Sequence, residues 1–347
     1  MTQATITPPT KRIEYIDALR GFTMILVVLY HAALYCIDVP NYHIYLQQIR
    51  MPMFFLISGF VMYKTEVVWN LNYIFNFLKK KFVVQILSTL VFFTLFAHIK
   101  GWDFISGITE SPTKYGYWFT YALFIYYIFY AGIRYIFRKH EDFIIICIAA
   151  VFYIINWPPF FTNIPLSGSV KVALGIEQWF YFCFFLLGTL LKKHFDGAQY
   201  LLDKWQTLLV CILAYFLLNI YHDVLPSGGP LGVLFGFIKS ISGIIIVFAF
   251  FRKKQALFTK EKVLGRSLQY IGKRTLDIYL LHYLFLPPWL SKVAIVFREY
   301  PMPSIEFVFS LIIALIVIAF CLLISNVIRL SPTLAHWLFG VKKNTSS

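Results

Sequence analysis

Long apolar runs alternate with short polar segments along the whole chain. A helix needs roughly 20 mostly apolar residues to cross the hydrocarbon core of a bilayer, which is about 30 Å thick. Ten runs approach that length: 20–37, 51–64, 81–99, 117–137, 143–157, 173–191, 206–221, 231–251, 268–290 and 305–328. The second and fifth runs are short, so their helices would extend into polar neighbours or tilt. The pattern predicts an all-α integral membrane protein, a bundle of about ten transmembrane helices.

Composition points to lipid as the solvent for much of this chain. Hydrophobic residues make up 59% and aromatic residues 20% of the 347 positions. Charged residues make up only 14%, against about a quarter in soluble domains. All five cysteines fall within apolar runs, without metal-ligand spacing: Cys36, Cys147, Cys183, Cys211 and Cys321. We interpret them as buried small apolar side chains, and we expect no metal site and no disulfide framework.

The basic residues give the bundle a direction. With the N-terminus in the cytoplasm, most of the 31 Lys and Arg fall in cytoplasmic segments, as the positive-inside rule requires. The largest group follows the eighth run: Arg252, Lys253, Lys254, Lys260, Lys262, Arg266, Lys273 and Arg274. Outer segments hold Arg50, Lys100, Lys114, Lys171, Lys292 and Arg298. We therefore expect both termini in the cytoplasm. The net charge of +15 does not indicate nucleic acid, because the basic residues lie between apolar runs.

A single membrane domain accounts for residues 1–347, with a short cytoplasmic segment at 1–19 and a short cytoplasmic tail at 329–347. The first run is longer than a typical signal core and no Ala-x-Ala site follows it, so we expect no cleavable signal peptide. The phosphate-loop, dinucleotide-binding, zinc-protease and nucleophile-elbow motifs of soluble enzymes are absent from the sequence.

The first run carries ionisable residues in a stripe. Arg20 and His31 are eleven residues apart, which is close to three helical turns, so they share a face about 16 Å apart along the axis. Asp17 lies one turn below Arg20. A guanidinium at the inner rim can hold a phosphate or carboxylate, and a shielded imidazole can take and return a proton. The alternative is that Arg20 anchors the helix at the headgroups and His31 pairs with a neighbouring helix.

Five segments, in order, resemble the acyltransferase 3 family of membrane acyltransferases. They are 13–31 (IEYIDALRGFTMILVVLYH), 50–60 (RMPMFFLISGF), 117–124 (YWFTYALF), 184–192 (FFLLGTLLK) and 271–282 (IGKRTLDIYLLH). The family hallmark is an arginine, ten residues and a histidine on the first helix, which Arg20 and His31 match. The matches span nearly the whole chain.

The resemblance implies a ten-helix bundle in the cytoplasmic membrane that uses acyl-CoA as a co-substrate, with no tightly bound cofactor. It implies transfer, usually of acetyl from acetyl-CoA, to a hydroxyl of a surface glycan or its lipid-linked precursor. It assigns Arg20 to the donor and His31 to the catalytic centre. His31 would act either as a general base or as an acyl-imidazole relay.

One segment departs from the family pattern. Many members have an Arg-x-x-Arg pair at the start of the third helix, where this chain reads FNFLKKKFVVQ over 75–85. Lys79, Lys80 and Lys81 are therefore the donor-binding candidates. Lysine attracts phosphates as a point charge without the arginine fork. Each of them is equally well explained as an ordinary positive-inside residue.

The remaining candidates each have a structural alternative. Asp17 and His282 join His31 as catalytic candidates, although His282 would also serve as a packing histidine. The acceptor-binding candidates are Ser58, Trp118, Glu177 and Lys239. Their alternatives are close helix packing at Ser58-Gly59, aromatic-belt anchoring, a helix cap and a buried carboxylate pair. Asp277 is expected to pair with Lys273 or Arg274 as a structural contact.

These features favour a membrane O-acyltransferase whose partners are acyl-CoA, a glycan acceptor and lipids. A secondary transporter or exporter of a glycan or small anionic solute would also bury charges in the membrane. Transporters often show paired broken helices in two repeated halves, and we find no such pairing in the sequence. A purely structural membrane protein would not need Arg20, His31 and His282 together.

Overall fold

The structure is a computed structural model that describes residues 12–37, 43–64, 67–137, 141–154, 165–222, 224–226, 228–287 and 289–341. Helices dominate this part of the chain, which contains no strand, and the all-α prediction is confirmed. Some predicted features lie outside the described residues. These are the end of the fifth run at 155–157 and the basic residues Lys11, Arg138, Lys139, Lys342 and Lys343.

Seventeen α-helices follow one another along the described residues. In chain order they are α1 (Glu14–Ile37), α2 (His43–Met62), α3 (Leu71–Lys81), α4 (Ser88–Lys100), α5 (Phe104–Thr109), α6 (Trp118–Ile136), α7 (Glu141–Ile154), α8 (Gly168–Leu174), α9 (Phe182–Lys193), α10 (Phe195–Asp203), α11 (Trp205–Ile220), α12 (Gly229–Lys253), α13 (Val263–Lys273), α14 (Thr275–Phe285), α15 (Leu290–Glu299), α16 (Pro303–Arg329) and α17 (Pro332–Phe339). A π-helical segment, Phe82–Leu87, joins α3 to α4.

Six helical stretches are long and apolar enough to cross a membrane. They are Glu14–Ile37, Leu71–Lys100, Trp118–Ile136, Gly168–Lys193, Gly229–Lys253 and Pro303–Arg329. Two bent pairs raise the number to eight if each is one span: α10 with α11 at 76°, and α14 with α15 at 79°. The chain is thus a multi-pass membrane protein by length and composition, while the count of about ten and the orientation stay predictions.

The two remaining predicted spans correspond to α2 and α7. Helix α2 has 20 residues, but its first half contains His43, two glutamines and Arg50, which lower its hydropathy below that of a span. Helix α7 has 14 described residues, which is too few to cross about 30 Å. These are the two runs that the sequence already marks as short.

Helix α1 lies at the centre of the bundle and packs most closely against α13. A Cβ on Gly21 would lie 2.0 Å from the carbonyl oxygen of Leu268, and one on Gly272 would lie 1.9 Å from the carbonyl oxygen of Asp17. The two backbones therefore touch at paired glycines, as small residues permit in membrane helices. This contact fixes Arg20 beside the junction of α13 and α14.

Helices α2 and α9 meet in the same way. A Cβ on Gly59 would lie 1.9 Å from the carbonyl oxygen of Phe185, and one on Gly188 would lie 1.9 Å from that of Leu56. Close helix packing is therefore a function of Gly59, and Ser58 next to it donates a hydrogen bond to the carbonyl oxygen of Phe54 at 2.8 Å.

Asp277 ties α14 to α16. Arg329 forks onto its carboxylate with contacts of 2.7–3.0 Å, and Ser325 donates to the same group. Arg274 lies 3.7 Å away. The predicted pairing with Arg274 is thus a minor part of a larger cluster, since Arg329 lies on a helix that sequence proximity could not indicate. A buried carboxylate with this many donors is a structural contact.

The segment before α6 is fixed by a buried lysine. Lys114 donates to the carbonyl oxygens of Ile108 at 3.0 Å and Val172 at 2.9 Å, which joins α5 to α8. Burial lowers the pKa of Lys114 below its ordinary value. This contact holds the start of α6, and with it Trp118, in place.

Four of the five cysteines are buried as predicted, and all five are free thiols. Cys147 is exposed on α7, so the expectation of burial is wrong for that residue. Other exposed side chains on the same helix are apolar too, among them Phe143, Ile146 and Val151.

Candidate active site

Helices α1 and α14 bring together the two histidines that the sequence predicts to be catalytic. The ring centroids of His31 and His282 lie 5.2 Å apart. Tyr283 lies beside both: its hydroxyl is 2.9 Å from Nε2 and 3.3 Å from Nδ1 of His31, and its ring centroid is 4.0 Å from that of His282. We call these three residues the histidine–tyrosine group.

His282 is fully buried, and its backbone contacts define its tautomer. Nδ1 lies 2.8 Å from the carbonyl oxygen of Tyr279 and 3.1 Å from that of Ile278. Because a carbonyl oxygen only accepts, Nδ1 carries the hydrogen and Nε2 of the neutral ring is an acceptor. Nε2 has no hydrogen-bond partner among the described residues. His282 therefore offers a lone pair to a group that enters the site.

Arg20 and Asp17 lie at the opposite end of α1 from His31. Arg12 forks onto the Asp17 carboxylate, and a guanidinium nitrogen of Arg20 lies 3.9 Å from it. Arg20 also donates to Thr275 Oγ1 at 3.2 Å. Asp17 is fourteen residues before His31, about 21 Å along the helix axis. Asp17 therefore lies beside Arg12 and Arg20 and is far from the histidine–tyrosine group, and its predicted catalytic role stays a prediction.

A cavity of about 640 Å³ opens beside Arg20, and we call it the Arg20 cavity. Its basic lining residues are Arg20, Lys64, Lys80 and Lys81, and its aromatic ones are Phe54, Trp69, Tyr73, Phe77, Phe119, Tyr127 and Tyr279. The structure thus brings two of the three predicted donor lysines to Arg20. Lys79 is exposed and does not line the cavity. Lys64 joins the set unpredicted, since the sequence marks it only as a positive-inside residue.

The π-helical segment places a buried amide in the same cavity. Gln85 is 7% exposed and lines the Arg20 cavity, and its Oε1 has no hydrogen-bond partner among the described residues. π-Helical turns inside α-helices occur frequently at functional sites. Sequence reasoning missed this residue, because neither a glutamine in an apolar run nor a π-turn has a distinct pattern.

A small cavity of about 20 Å³ lies against His31, and we call it the His31 cavity. Three of its lining residues, Phe54, Phe119 and Tyr279, also line the Arg20 cavity. Trp118 lines it as well, so this predicted acceptor residue lies close to His31. The space is about that of one water molecule. Three aromatic side chains therefore separate the imidazole from the larger cavity.

A third cavity has a volume of about 550 Å³. We call it the Arg50 cavity. Tyr30, the neighbour of His31, lines it, and the guanidinium carbon of Arg50 lies 3.6 Å from the centre of the Tyr30 ring. Lys239 lines it too. Arg50 was noted in the sequence only as one of the few outer basic residues.

The other two predicted acceptor residues lie elsewhere. Ser58 lines the Arg20 cavity, so it is grouped with the predicted donor residues. Glu177 is exposed and lines none of the three cavities. Ser58 lines a different cavity from Arg50 because it is eight residues further along α2, a distance of about 12 Å along the helix axis.

The comparison with family models decides the identity. A model described as an acyltransferase domain, that of the acyltransferase 3 family, matches residues 13–325. The chain belongs to the acyltransferase 3 family. This acyltransferase is therefore a transferase of acyl groups, and the family suggests a glycan-type acceptor. No curated protein and no solved structure matches the chain.

Proposed function

We propose that this acyltransferase moves acetyl from cytoplasmic acetyl-CoA to a hydroxyl of a cell-surface glycan or its lipid-linked precursor, in the cytoplasmic membrane. The observation that carries the proposal is the position of the histidine–tyrosine group. His31 lines a small cavity that shares three aromatic residues with the basic Arg20 cavity, and the residue before it, Tyr30, lines the polar Arg50 cavity. Family membership favours an enzyme over a transporter.

The Arg20 cavity suits a nucleotide-based thioester. Arg20, Lys64, Lys80 and Lys81 can neutralise the phosphates of CoA, Arg20 through paired hydrogen bonds and the lysines as point charges. The aromatic residues offer faces for the adenine ring. The thioester end would then reach His31 between the aromatic side chains that the Arg20 and His31 cavities share.

His31 supplies the proton transfer. In our proposal an unprotonated ring nitrogen takes the proton of the glycan hydroxyl while its oxygen attacks the thioester carbonyl carbon. The tetrahedral intermediate collapses as the C–S bond breaks, and the CoA sulfur leaves with the proton returned by His31. In this arrangement the hydroxyl oxygen of Tyr283 accepts the hydrogen of the protonated ring nitrogen. The unprotonated nitrogen is then left for the glycan hydroxyl.

An acyl-imidazole route uses the same atoms in two steps. The unprotonated nitrogen of His31 attacks the thioester carbon, the C–S bond breaks and CoA leaves as the thiolate, and the glycan hydroxyl then attacks the acyl-imidazolium as its C–N bond breaks. The proton of that hydroxyl needs an acceptor, and Nε2 of His282 is a buried acceptor near the His31 ring. The two routes differ in whether acetyl ever resides on the protein.

The test measures acetyl transfer by the protein in inverted membrane vesicles, or by the purified protein in proteoliposomes. Labelled acetyl-CoA is supplied at the predicted cytoplasmic face with a panel of glycan acceptors. We expect label in the glycan as an ester that mild base releases. Label that stays with acetyl-CoA for every acceptor, while a glycan itself crosses the vesicle membrane, would instead support an exporter.

A further inference from the structure

Two cationic side chains line the Arg50 cavity, and neither has a carboxylate partner among the described residues. Arg50 on α2 is 8% exposed, and Lys239 on α12 is half-buried. No Asp or Glu occurs among the residues found to line this cavity. Within the part of the chain that the structure describes, no ion pair involves Arg50 or Lys239. The principal contact of Arg50 is the face of Tyr30.

Other charges in the interior of this chain have acceptors or counter-ions, as when Lys114 donates to two carbonyl oxygens. Arg329 forks onto Asp277, and Arg134 donates to Glu141. A charge buried in a membrane protein without a counter-ion is costly, so such residues generally mark a pathway or a ligand site. Arg50 and Lys239 differ from these residues, since neither a carboxylate nor a carbonyl oxygen binds them among the described residues, and the positive charge of the Arg50 cavity is therefore open to an anion that comes with a ligand.

The two helices that carry the cations are joined by a hydrogen bond at the cavity. Ser240, next to Lys239, donates a hydrogen bond to Oε1 of Gln48 at 3.1 Å, and Gln48 lies two residues before Arg50 on α2. The side chains of Gln48 and Ser240 line the same cavity. This bond leaves the amide hydrogens of Gln48 as donors. The lining of the Arg50 cavity therefore combines positive charge with neutral donors of the kind that bind sugar hydroxyls.

Arg50 also lies close to the reacting group. Its guanidinium stacks on Tyr30, the residue before His31 on α1. An anion held by Arg50 would bring the sugar that carries it to the imidazole. Lys239, which lines the same cavity from α12, would contact the same anion or an adjacent anionic group of the glycan.

We propose that the Arg50 cavity selects an anionic acceptor, a glycan whose acylated sugar carries or adjoins a carboxylate or phosphate. The proposal rests on the proposed function, and adds the chemical class of the acceptor to it. Two sources share this chemistry: the carboxylate of a uronic acid and the phosphodiester of a phosphate-linked glycan. Both would form charge-assisted hydrogen bonds with the guanidinium and the ammonium.

The experiment compares three acceptor probes on the purified full-length protein. They are an oligosaccharide containing glucuronic acid, the same oligosaccharide after carboxyl reduction, and one of equal length with a phosphodiester in place of the uronate. Wild type is measured with Lys239→Gln, Lys239→Arg and the control Lys292→Gln, whose side chain is exposed on α15. The readouts are KM and kcat for transfer, and the Kd of each probe without acetyl-CoA.

We expect wild type to favour a charged probe over the reduced one by roughly 10- to 100-fold in KM and Kd, the range of one charge-assisted contact. Lys239→Gln should lose most of that preference, Lys239→Arg should restore it, and Lys292→Gln should keep it. Whichever charged probe is preferred identifies the source of the anion.

Equal KM and Kd for charged and reduced probes would overturn the inference, as would an unchanged preference in Lys239→Gln. Acetylation of the reduced probe alone would leave the proposed function standing and remove the anion site. Conversely, Lys239-dependent binding of a charged probe without acetyl transfer would keep the anion site and remove the proposed function.

Discussion

The hydroxyl of Tyr283 lies 2.9 Å from Nε2 of His31, although the two residues are 252 positions apart in the sequence. A phenol in this position orients the imidazole and modifies its basicity through one hydrogen bond. Because the contact joins the central helix α1 to α14, it also fixes the position of His31 relative to α14.

Replacing Tyr283 by Phe should lower kcat about tenfold, the effect of removing one hydrogen bond that acts in the transition state. The ring and its packing against His282 and Phe96 are retained, so the melting temperature should change little. The matched control is Tyr300→Phe, an exposed tyrosine. Equal kcat values for Tyr283→Phe and wild type would show that the hydroxyl has no part in orienting His31.

The lysine run offers a test with an internal control. Lys81 lines the Arg20 cavity, whereas Lys79 is exposed outside it. Lys81→Gln should raise the KM for acetyl-CoA by several-fold to about tenfold, as expected for a single charge contact to phosphate, and Lys79→Gln should not. Steady-state kinetics with acetyl-CoA as the varied substrate measures both. If the two variants behave alike, the cavity is not the phosphate site.

Replacing Gln85 by an apolar residue should stabilise the free protein and weaken donor binding. Its Oε1 is buried without a described partner, and such a group costs about 1–3 kcal/mol. Gln85→Met should therefore raise the melting temperature of the free protein, yet weaken acetyl-CoA binding if the donor supplies the missing hydrogen. Thermal unfolding and acetyl-CoA titration measure the two effects. A variant that is more stable and binds acetyl-CoA normally would exclude Gln85 from the donor site.

The paired glycines between α1 and α13 should tolerate no side chain. A Cβ on Gly21 would lie 2.0 Å from a backbone oxygen, so Gly21→Ala must push the helices apart. Overpacking of this kind costs about 1–3 kcal/mol, and we expect a lower melting temperature together with weaker donor binding. Gly132→Ala is the control, since nothing lies within 4 Å of its Cβ position. A normal melting temperature for Gly21→Ala would contradict the close contact.

Much of the first helix could be predicted from the sequence. Arg20 and His31 share a face because both lie on one helix whose period is known, and the resemblance of the late motif to the family pointed to His282. Tyr283 could not be predicted in this way. Which of two adjacent residues on α14 faces His31 depends on how that helix is rotated when it packs, and sequence spacing within one helix does not determine that rotation.

The cavity linings show the same limit. Lys64 and Arg50 were visible in the sequence as charges at the two ends of the second apolar run, but only packing shows that they line different cavities. Ser58 was assigned to the acceptor, yet its position on α2 places it with Arg20. Glu177 lies in a 3₁₀ turn whose side chains the apolar pattern could not orient. For α2, the polar first half that lowers its hydropathy also lines the Arg50 cavity.

The most direct measurement of the central claim is acetyl transfer by His31→Ala. The variant is compared with wild type and with His98→Ala, an exposed histidine near the end of α4, using labelled acetyl-CoA and an acceptor that wild type acetylates. Loss of the catalytic base should lower kcat by roughly 100-fold or more, while acetyl-CoA binding and the activity of His98→Ala stay close to wild type. Transfer by His31→Ala at the wild-type rate would contradict the assignment of His31 as the catalytic centre.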